Sequence, residues 1–170
     1  CVFFDGKINF SCKPKNSLDQ TMLILSKFSR REEVVNTGSA LSSAIKGAQQ
    51  ILKNRSLIFI LSDFRCGDYE DNLALLSQKH DVVAIRFTDA NDFELPNLGM
   101  VEVQNPENQQ KKIYPTFSSA FKRAWRENSN NQLERWKYMC KKNGVVPLVI
   151  STADNPALRL SRFFAVKERF

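Results

Sequence analysis

The sequence has few of the residues on which most enzymatic sites depend. It contains one histidine and six glycines among 170 residues. No glycine-rich loop fits a P-loop or a dinucleotide-binding fingerprint, so the common nucleotide-binding classes are not indicated. The lone histidine, His80, precedes a predicted strand at a surface or helix-end position and matches no Ser-His-Asp arrangement. The sequence therefore favours a non-enzymatic protein with no catalytic residue and no small-molecule substrate.

Cysteines and long apolar runs are also scarce. The four cysteines, Cys1, Cys12, Cys66 and Cys140, form no Cys-x-x-Cys pair. They are too sparse for a disulfide scaffold, which favours buried or idle thiols in a reducing compartment. No apolar run approaches the roughly 18 residues that cross a bilayer, and no signal-peptide pattern is present. We therefore expect a cytoplasmic location, although the parent protein could be anchored to a membrane.

The positive charge is concentrated near the C-terminus. Residues 1–115 contain 14 basic and 14 acidic side chains, whereas residues 116–170 contain 11 basic and 4 acidic ones, which accounts for the net charge of +7. Lys122, Arg123 and Arg126 begin this basic part and are candidates for binding an acidic partner. Nucleic-acid binding is an alternative for the same residues. A solvated helix surface explains the pattern without any partner.

Apolar segments alternate with helical ones along the chain. The runs 57–61 and 82–87 are typical of strands buried on both faces, and we expect 57–61 in the middle of a parallel sheet. Asp5-Gly6 predicts an opening hairpin, and residues 100–114 predict another. The expected fold is one α/β domain over residues 1–170: a three-layer, doubly wound, mainly parallel, Rossmann-like sheet with helices on both faces and an N-terminal antiparallel hairpin.

A long helical stretch is expected from residue 116 to residue 142. The polar segment 128–131, Asn-Ser-Asn-Asn, predicts a break that divides it into two helices. Phe117, Phe121 and Trp125 recur at helical spacing on one stripe. We interpret these aromatic residues as core residues rather than as base-stacking ones.

Ser39 and Asp63 are the candidate ligands for a metal ion. Asp63 follows the apolar run 57–61, so we expect it at the carboxyl end of a parallel strand, where α/β sheets hold ligands. Ser39 precedes a predicted helix. Hydroxyl and carboxylate oxygens suit Mg²⁺ or Mn²⁺, but two ligands are too few for such a site. A helix cap at Ser39 and a turn residue at Asp63 are the alternative interpretations.

Several segments of the sequence resemble a known family. They are Gly38-Ser39-Ala40-Leu41 with Ala44-Ile45, Arg55 to Phe64, His80 to Arg86, and Glu94-Leu95-Pro96 with Gly99. In these segments the chain resembles the von Willebrand factor A-like family of bacterial proteins associated with MoxR-type AAA ATPases, which is catalogued as a domain of unknown function. The resemblance extends from Val2 to Phe164.

The resemblance implies a doubly wound fold with a metal-ion-dependent adhesion site at one edge of the sheet. Asp63 matches the aspartate that follows the family's fourth strand, and Ser39 falls where the family has a threonine. The family's Asp-x-Ser-x-Ser motif does not occur in this sequence. The chain begins where the second strand is expected, so the site is expected to be incomplete. The first strand and helix would then lie upstream, or the unpaired strand edges would find another partner, such as a second copy.

The function implied by the resemblance is a non-enzymatic protein–protein interaction module. Its partner would be a MoxR-type AAA ATPase or a client of one. A divalent cation such as Mg²⁺ would bridge Asp63 to a partner's carboxylate in the full-length protein, with none bound in this fragment. One alternative is nucleic-acid or other polyanion binding through the basic C-terminal helices. A second is a metal-dependent hydrolase that uses Asp63, Asp89 and Asp154.

Overall fold

The computed structural model describes residues 1–5, 7–29, 40–104 and 110–167. In these residues the chain forms seven strands and five α-helices. In chain order they are β1 (Val2–Phe4), β2 (Ile8–Ser11), α1 (Leu18–Ser29), α2 (Leu41–Ile51), β3 (Leu57–Ser62), α3 (Glu70–Ser77), β4 (Asp81–Thr88), β5 (Met100–Gln104), β6 (Lys111–Pro115), α4 (Ser119–Lys142), β7 (Val146–Ser151) and α5 (Pro156–Lys167). Within the described ranges, none of these helices has the length and hydropathy of a membrane span.

A parallel three-stranded sheet forms the centre of the fold. Its strand order is β3-β4-β7, with Leu57 opposite Asp81 and Val83 opposite Val146. The central strand, β4, is rich in branched apolar residues and is almost entirely buried. That pattern is typical of a parallel strand that has neighbours on both sides and helices on both faces.

Alternate residues of β4 pack on opposite faces of the sheet. Val82 and Ala84 belong to the larger core cluster, which is completed by residues of α2, α3 and α4. Val83 and Ile85 belong to a smaller cluster that includes residues of α5. Helices therefore cover both faces, and the predicted α/β class is confirmed.

Two antiparallel hairpins accompany this sheet, as the sequence predicts. β1 pairs with β2, and β5 pairs with β6. The base of the second hairpin is fixed by Thr116, which is buried. Its hydroxyl donates to the carbonyl oxygen of Gly99 at 2.8 Å and accepts from the backbone N–H of Leu98 at 3.0 Å. These bonds set the position of β5 and β6 relative to the start of α4.

In the described residues β3 lies at an edge of the sheet, whereas the sequence predicted a position in the middle. Among the described residues it pairs with β4 alone. Leu57, Phe59 and Leu61 are 51, 40 and 54% exposed, whereas Ile60 is buried. An apolar run indicates that a strand is suited to burial, but it does not identify the neighbours that provide the burial.

α4 is one continuous helix of 24 residues, so the predicted break at residues 128–131 was wrong. Serine and asparagine are only modestly unfavourable inside a helix, and tertiary contacts routinely override such preferences. The Ser129 hydroxyl donates to the backbone carbonyl of Asp92 at 2.6 Å. This contact ties the middle of α4 to the segment that follows β4.

Candidate functional site

A cleft of about 850 Å³ opens beyond the carboxyl ends of β3 and β4. The segment after β3 and the middle of α4 form two of its walls, and the β5–β6 hairpin forms the third. Open α/β sheets bind their ligands beyond the carboxyl ends of the strands. The cleft is therefore the candidate site of this molecule.

Asp63 lines this cleft, directly after the last residue of β3. Its side chain is exposed, and Oδ1 accepts a hydrogen bond from the backbone N–H of Arg65 at 3.3 Å. The following residue, Phe64, has a φ of 52° and donates its backbone N–H to the Ser62 hydroxyl at 3.0 Å. These contacts define a sharp turn that directs the chain from the strand into the cleft wall.

The described side chains around Asp63 do not fit a metal ion by themselves. In the described ranges, no group of three His, Cys, Asp or Glu side chains is placed to hold one. Ser39, the other predicted ligand, lies outside the described residues. Since Mg²⁺ takes about six oxygen ligands, a cation at Asp63 would need Ser39 and further ligands from elsewhere. Metal binding stays a prediction.

Asp89 and Asp154, the other carboxylates of the hydrolase alternative, form local hydrogen bonds away from the cleft lining. Asp89 accepts from the Thr152 hydroxyl at 2.7 Å, and this bond lowers the pKa of its carboxyl. Asp154 accepts from the backbone N–H of Ser151 at 3.0 Å and from Arg159 Nε at 2.9 Å, which also lowers its pKa. Both carboxylates stabilise the turns that follow β4 and β7. They do not form a three-carboxylate metal site with Asp63.

Arg86 is the cleft residue that the sequence interpretation missed. It continues the β4 row that begins with Val82 and Ala84, and it is 8% exposed. Its guanidinium carbon lies 5.6 Å from the ring centroid of Trp136. Among the described residues it makes no salt bridge or side-chain hydrogen bond, and its Nε is buried without an acceptor. Burial, and then the nearby charge of Arg65, lower the pKa of this guanidinium.

No ionisable side chain around Arg86 in the described ranges forms a salt bridge with it, although the nearby charges of Asp63 and Asp92 act to raise its pKa. Burial raises the pKa of the Tyr69 hydroxyl well above its usual range, and burial raises the pKa of the Cys140 thiol to about 12. Both groups are therefore uncharged near neutral pH. Asp92 forms its salt bridge with Arg65 instead. The buried guanidinium is thus a charge without a dedicated counterion among the described residues.

A signal for Arg86 was present in the sequence. It stands at the end of the otherwise apolar run 82–87. Charged side chains are rarely buried in proteins unless they are paired with an opposite charge. An arginine in a strand of the buried type was therefore the residue to question.

Two tryptophans add further unpaired donors to the cleft wall. The indole Nε1 atoms of Trp125 and Trp136 are buried without an acceptor among the described residues. Leaving such a donor unpaired costs about 1–3 kcal/mol. The remaining buried and unpaired side-chain atom in the described ranges is Nδ1 of His80, which lies outside the cleft. Of the two positions expected for His80, surface or helix end, it has the second: it follows the end of α3 and is buried. The unpaired atoms of the cleft wall are thus all donors.

The aromatic stripe of α4 packs against the second hairpin. The Tyr114 ring of β6 lies 5.5 Å from the rings of both Phe121 and Trp125. Phe117, which was expected in the core with them, is 61% exposed. Tyr114 and Trp125 line the cleft, and none of these four aromatic residues belongs to the main core cluster.

Residues 3–135 match a family model described as protein of unknown function DUF58. The chain belongs to the DUF58 family. Searches of the curated proteins and of the solved structures each returned no match. The matched residues of this DUF58 chain include β3, β4, the second hairpin and the first part of α4. Arg86 and Trp125 fall inside the match, and Trp136 follows it directly.

The predicted basic residues of this DUF58 chain lie on α4 but not in the cleft. Arg123 and Arg126 are exposed, and Arg126 pairs with Glu94 at 2.9 Å. Lys122, the third of them, is half-buried. The cations that do line the cleft are Arg65, Arg86, Lys112 and Arg135.

Proposed function

We propose that this DUF58 chain is a non-enzymatic protein-interaction module that binds its partner in the cleft at the carboxyl edge of the sheet. The supporting observation is the composition of the cleft wall, which combines aromatic rings with arginines, among them Trp136 and Arg86. Tryptophan, tyrosine and arginine are the residues enriched among the energetic anchors of protein interfaces.

The partner in this proposal is the one implied by the resemblance to von Willebrand factor A-like proteins, a MoxR-type AAA ATPase or its client. The described residues of the cleft lining have an excess of one positive side chain, so an acidic surface of the partner would complement them. A divalent cation at Asp63 is a further element of the hypothesis. It applies only where Ser39 and additional ligands complete the coordination shell.

The test is binding of a purified MoxR-type ATPase to the protein, followed by biolayer interferometry. The double variant Lys112→Glu, Arg135→Glu reverses two exposed charges of the cleft lining. The control, Arg123→Glu with Lys141→Glu, reverses two exposed charges outside it. We expect the cleft variant to weaken binding by about tenfold or more, and the control to change it by less than about threefold.

The same two variants separate the proposal from polyanion binding. If the basic helices carry the function, the control variant, which reverses two charges of α4, loses binding at least as strongly as the cleft variant, which reverses only one of them. A further comparison tests whether a cation bridges the two proteins, and it uses nucleotide-free ATPase. If a metal bridges them, chelation with EDTA should abolish binding, and so should Asp63→Ala. Binding that survives both treatments removes the adhesion-site mechanism and leaves docking in the cleft.

A further inference from the structure

Arg86, Trp125 and Trp136 bring three unpaired donors to one cleft. Arg86 and Trp136 are 8 and 5% exposed, and the Nε atom of the arginine and both indole Nε1 atoms lack an acceptor in the described residues. Guanidinium and indole nitrogens donate and do not accept. A ligand group that only accepts hydrogen bonds would therefore complement the donors in this wall of the cleft.

The balance of charges in the cleft limits which acceptor fits. Among the described residues that line it, the cations are Arg65, Arg86, Lys112 and Arg135, and the carboxylates are Asp63, Glu70 and Asp92. One carboxylate group from a ligand would balance the excess positive charge. A nucleic-acid strand would instead place several phosphates near the three carboxylates, and like charges brought together oppose binding. The charge balance thus favours an acidic peptide over a nucleic acid.

Aromatic rings surround the donors and provide apolar contacts. The Phe64 ring lies 5.2 Å from that of Trp136 and 5.6 Å from that of Tyr69. Tyr114 and Trp125 form a second ring pair with centroids 5.5 Å apart. The cleft volume of about 850 Å³ lies within the range of pockets that enclose small organic ligands. The site therefore suits a short segment with an acidic group and an apolar side chain close together.

We propose that the cleft is a carboxylate site that binds an acidic peptide segment, with Arg86 paired to the carboxylate and the aromatic rings in contact with an adjacent apolar side chain. This inference rests on the proposed function and names the chemistry that the partner presents. Arginine forms two parallel hydrogen bonds to a carboxylate, a stronger contact than a single neutral hydrogen bond. The peptide could present this carboxylate on an acidic side chain or at a free C-terminus, since both carry the same group.

The experiment measures peptide binding by the intrinsic fluorescence of the protein. The chain has two tryptophans, and both line the cleft, so their emission reports on its occupancy. The probes are the capped tripeptide acetyl-Leu-Glu-Leu-amide, its Gln counterpart, and acetyl-Leu-Gln-Leu with a free C-terminal carboxylate. Inorganic phosphate and an oligothymidylate serve as competing anion classes.

We expect the Glu peptide to bind at least about tenfold more tightly than the Gln peptide, since a charge-assisted hydrogen bond contributes that much. If the peptide with the free C-terminus binds more tightly than the Glu peptide, the group that the site recognises is a C-terminal carboxylate rather than an acidic side chain. Arg86→Gln should remove the preference for the carboxylate, whereas Arg123→Gln, outside the cleft, should leave it unchanged. Arg65→Gln tests the site if Arg86→Gln does not fold. It should weaken the preference, because it frees the Asp92 carboxylate that acts on Arg86.

Three results would overturn the inference: equal affinity for the Glu and Gln peptides, no binding of any peptide, or tighter binding of phosphate or oligothymidylate. These outcomes are distinct from failure of the proposed function. If cleft charge reversal abolishes ATPase binding while Glu and Gln peptides bind alike, docking stands and the carboxylate site is refuted. If the Glu preference is present but the ATPase does not bind, the site stands and that partner is wrong.

Discussion

At the scale of single residues, Arg86 has the most unusual surroundings in the described part of the chain. It is nearly buried on the central strand, where Val82 and Ala84 precede it in the same row and belong to the main core cluster. Removing a guanidinium from water costs free energy, which a buried counterion would normally offset. Among the described residues no carboxylate forms a salt bridge or hydrogen bond with it, and Asp63 and Asp92 act on it only through their charges. We therefore expect Arg86 to cost the fold stability, which is the behaviour of a residue whose charge serves binding rather than folding.

This cost leads to a prediction for Arg86→Met, which keeps much of the side-chain length and removes the charge. The variant should raise the free energy of unfolding in urea by about 1 kcal/mol or more, because it replaces an uncompensated buried charge with an apolar group. The matched control is Arg55→Met, at an exposed arginine paired with Asp81 at 2.9 Å, and it should not raise stability. Destabilisation by Arg86→Met would mean that the guanidinium supports the fold.

At the scale of secondary-structure elements, the connections after β4 and β7 depend on carboxylates. Asp89 lies after β4 and accepts from Thr152, which follows β7. Asp154 links the end of β7 to the start of α5 through Ser151 and Arg159. These hydrogen bonds connect neighbouring strand ends at the same edge of the sheet. They hold that edge in place only while the carboxyls are ionised.

Because folding lowers the pKa of both carboxyls, the unfolded state takes up protons at higher pH than the native state. Their stabilising contribution is full above the unfolded value of about 4 and is lost as the pH falls through the folded pKa. Asp154→Asn should therefore lower stability at pH 7 and flatten the decline in stability on acidification. Urea unfolding from pH 7 to pH 2 measures both effects.

The control for this prediction is Glu127→Gln, which removes an exposed carboxyl of α4. Glu127→Gln should have a smaller effect than Asp154→Asn, both on the stability at pH 7 and on the way stability changes with pH. An equally steep decline for the wild type and Asp154→Asn would show that this carboxylate does not stabilise the strand ends.

The same elements show what the sequence could and could not specify. Apolar periodicity and turn residues located the strands, hairpins and helices, because these signals depend on neighbours close in the chain. The edge position of β3 and the continuity of α4 depend on contacts between distant segments, such as the one between Ser129 and Asp92. The sequence placed Asp63 at the edge of the sheet where the cleft lies, but it did not indicate the other side chains of the cleft wall, for the same reason. Arg86 and Trp136 are 50 positions apart, and neither one indicates the other in the sequence.

At the scale of the whole molecule, the described residues leave apolar surface uncovered near the β3 edge. Leu57 and Leu61 are more than half exposed, and the backbone of β3 pairs with β4 on one side only in the described ranges. An exposed edge strand with apolar side chains is a template for pairing with another chain. From the sequence we expect either an upstream strand or a second copy of this chain at such an edge, and we propose the second copy as the partner of β3.

We therefore predict concentration-dependent self-association in sedimentation velocity. Two β3 edges that pair antiparallel would join two three-stranded sheets into one and would cover the exposed leucines of both copies. The double variant Leu57→Lys, Leu61→Lys should remain monomeric, because charges on an edge strand oppose such pairing. Leu75→Lys, at a leucine of α3 that is 52% exposed, should associate like the wild type. A wild type that stays monomeric across the micromolar range would refute the pairing, and equal association of all three proteins would place the contact elsewhere.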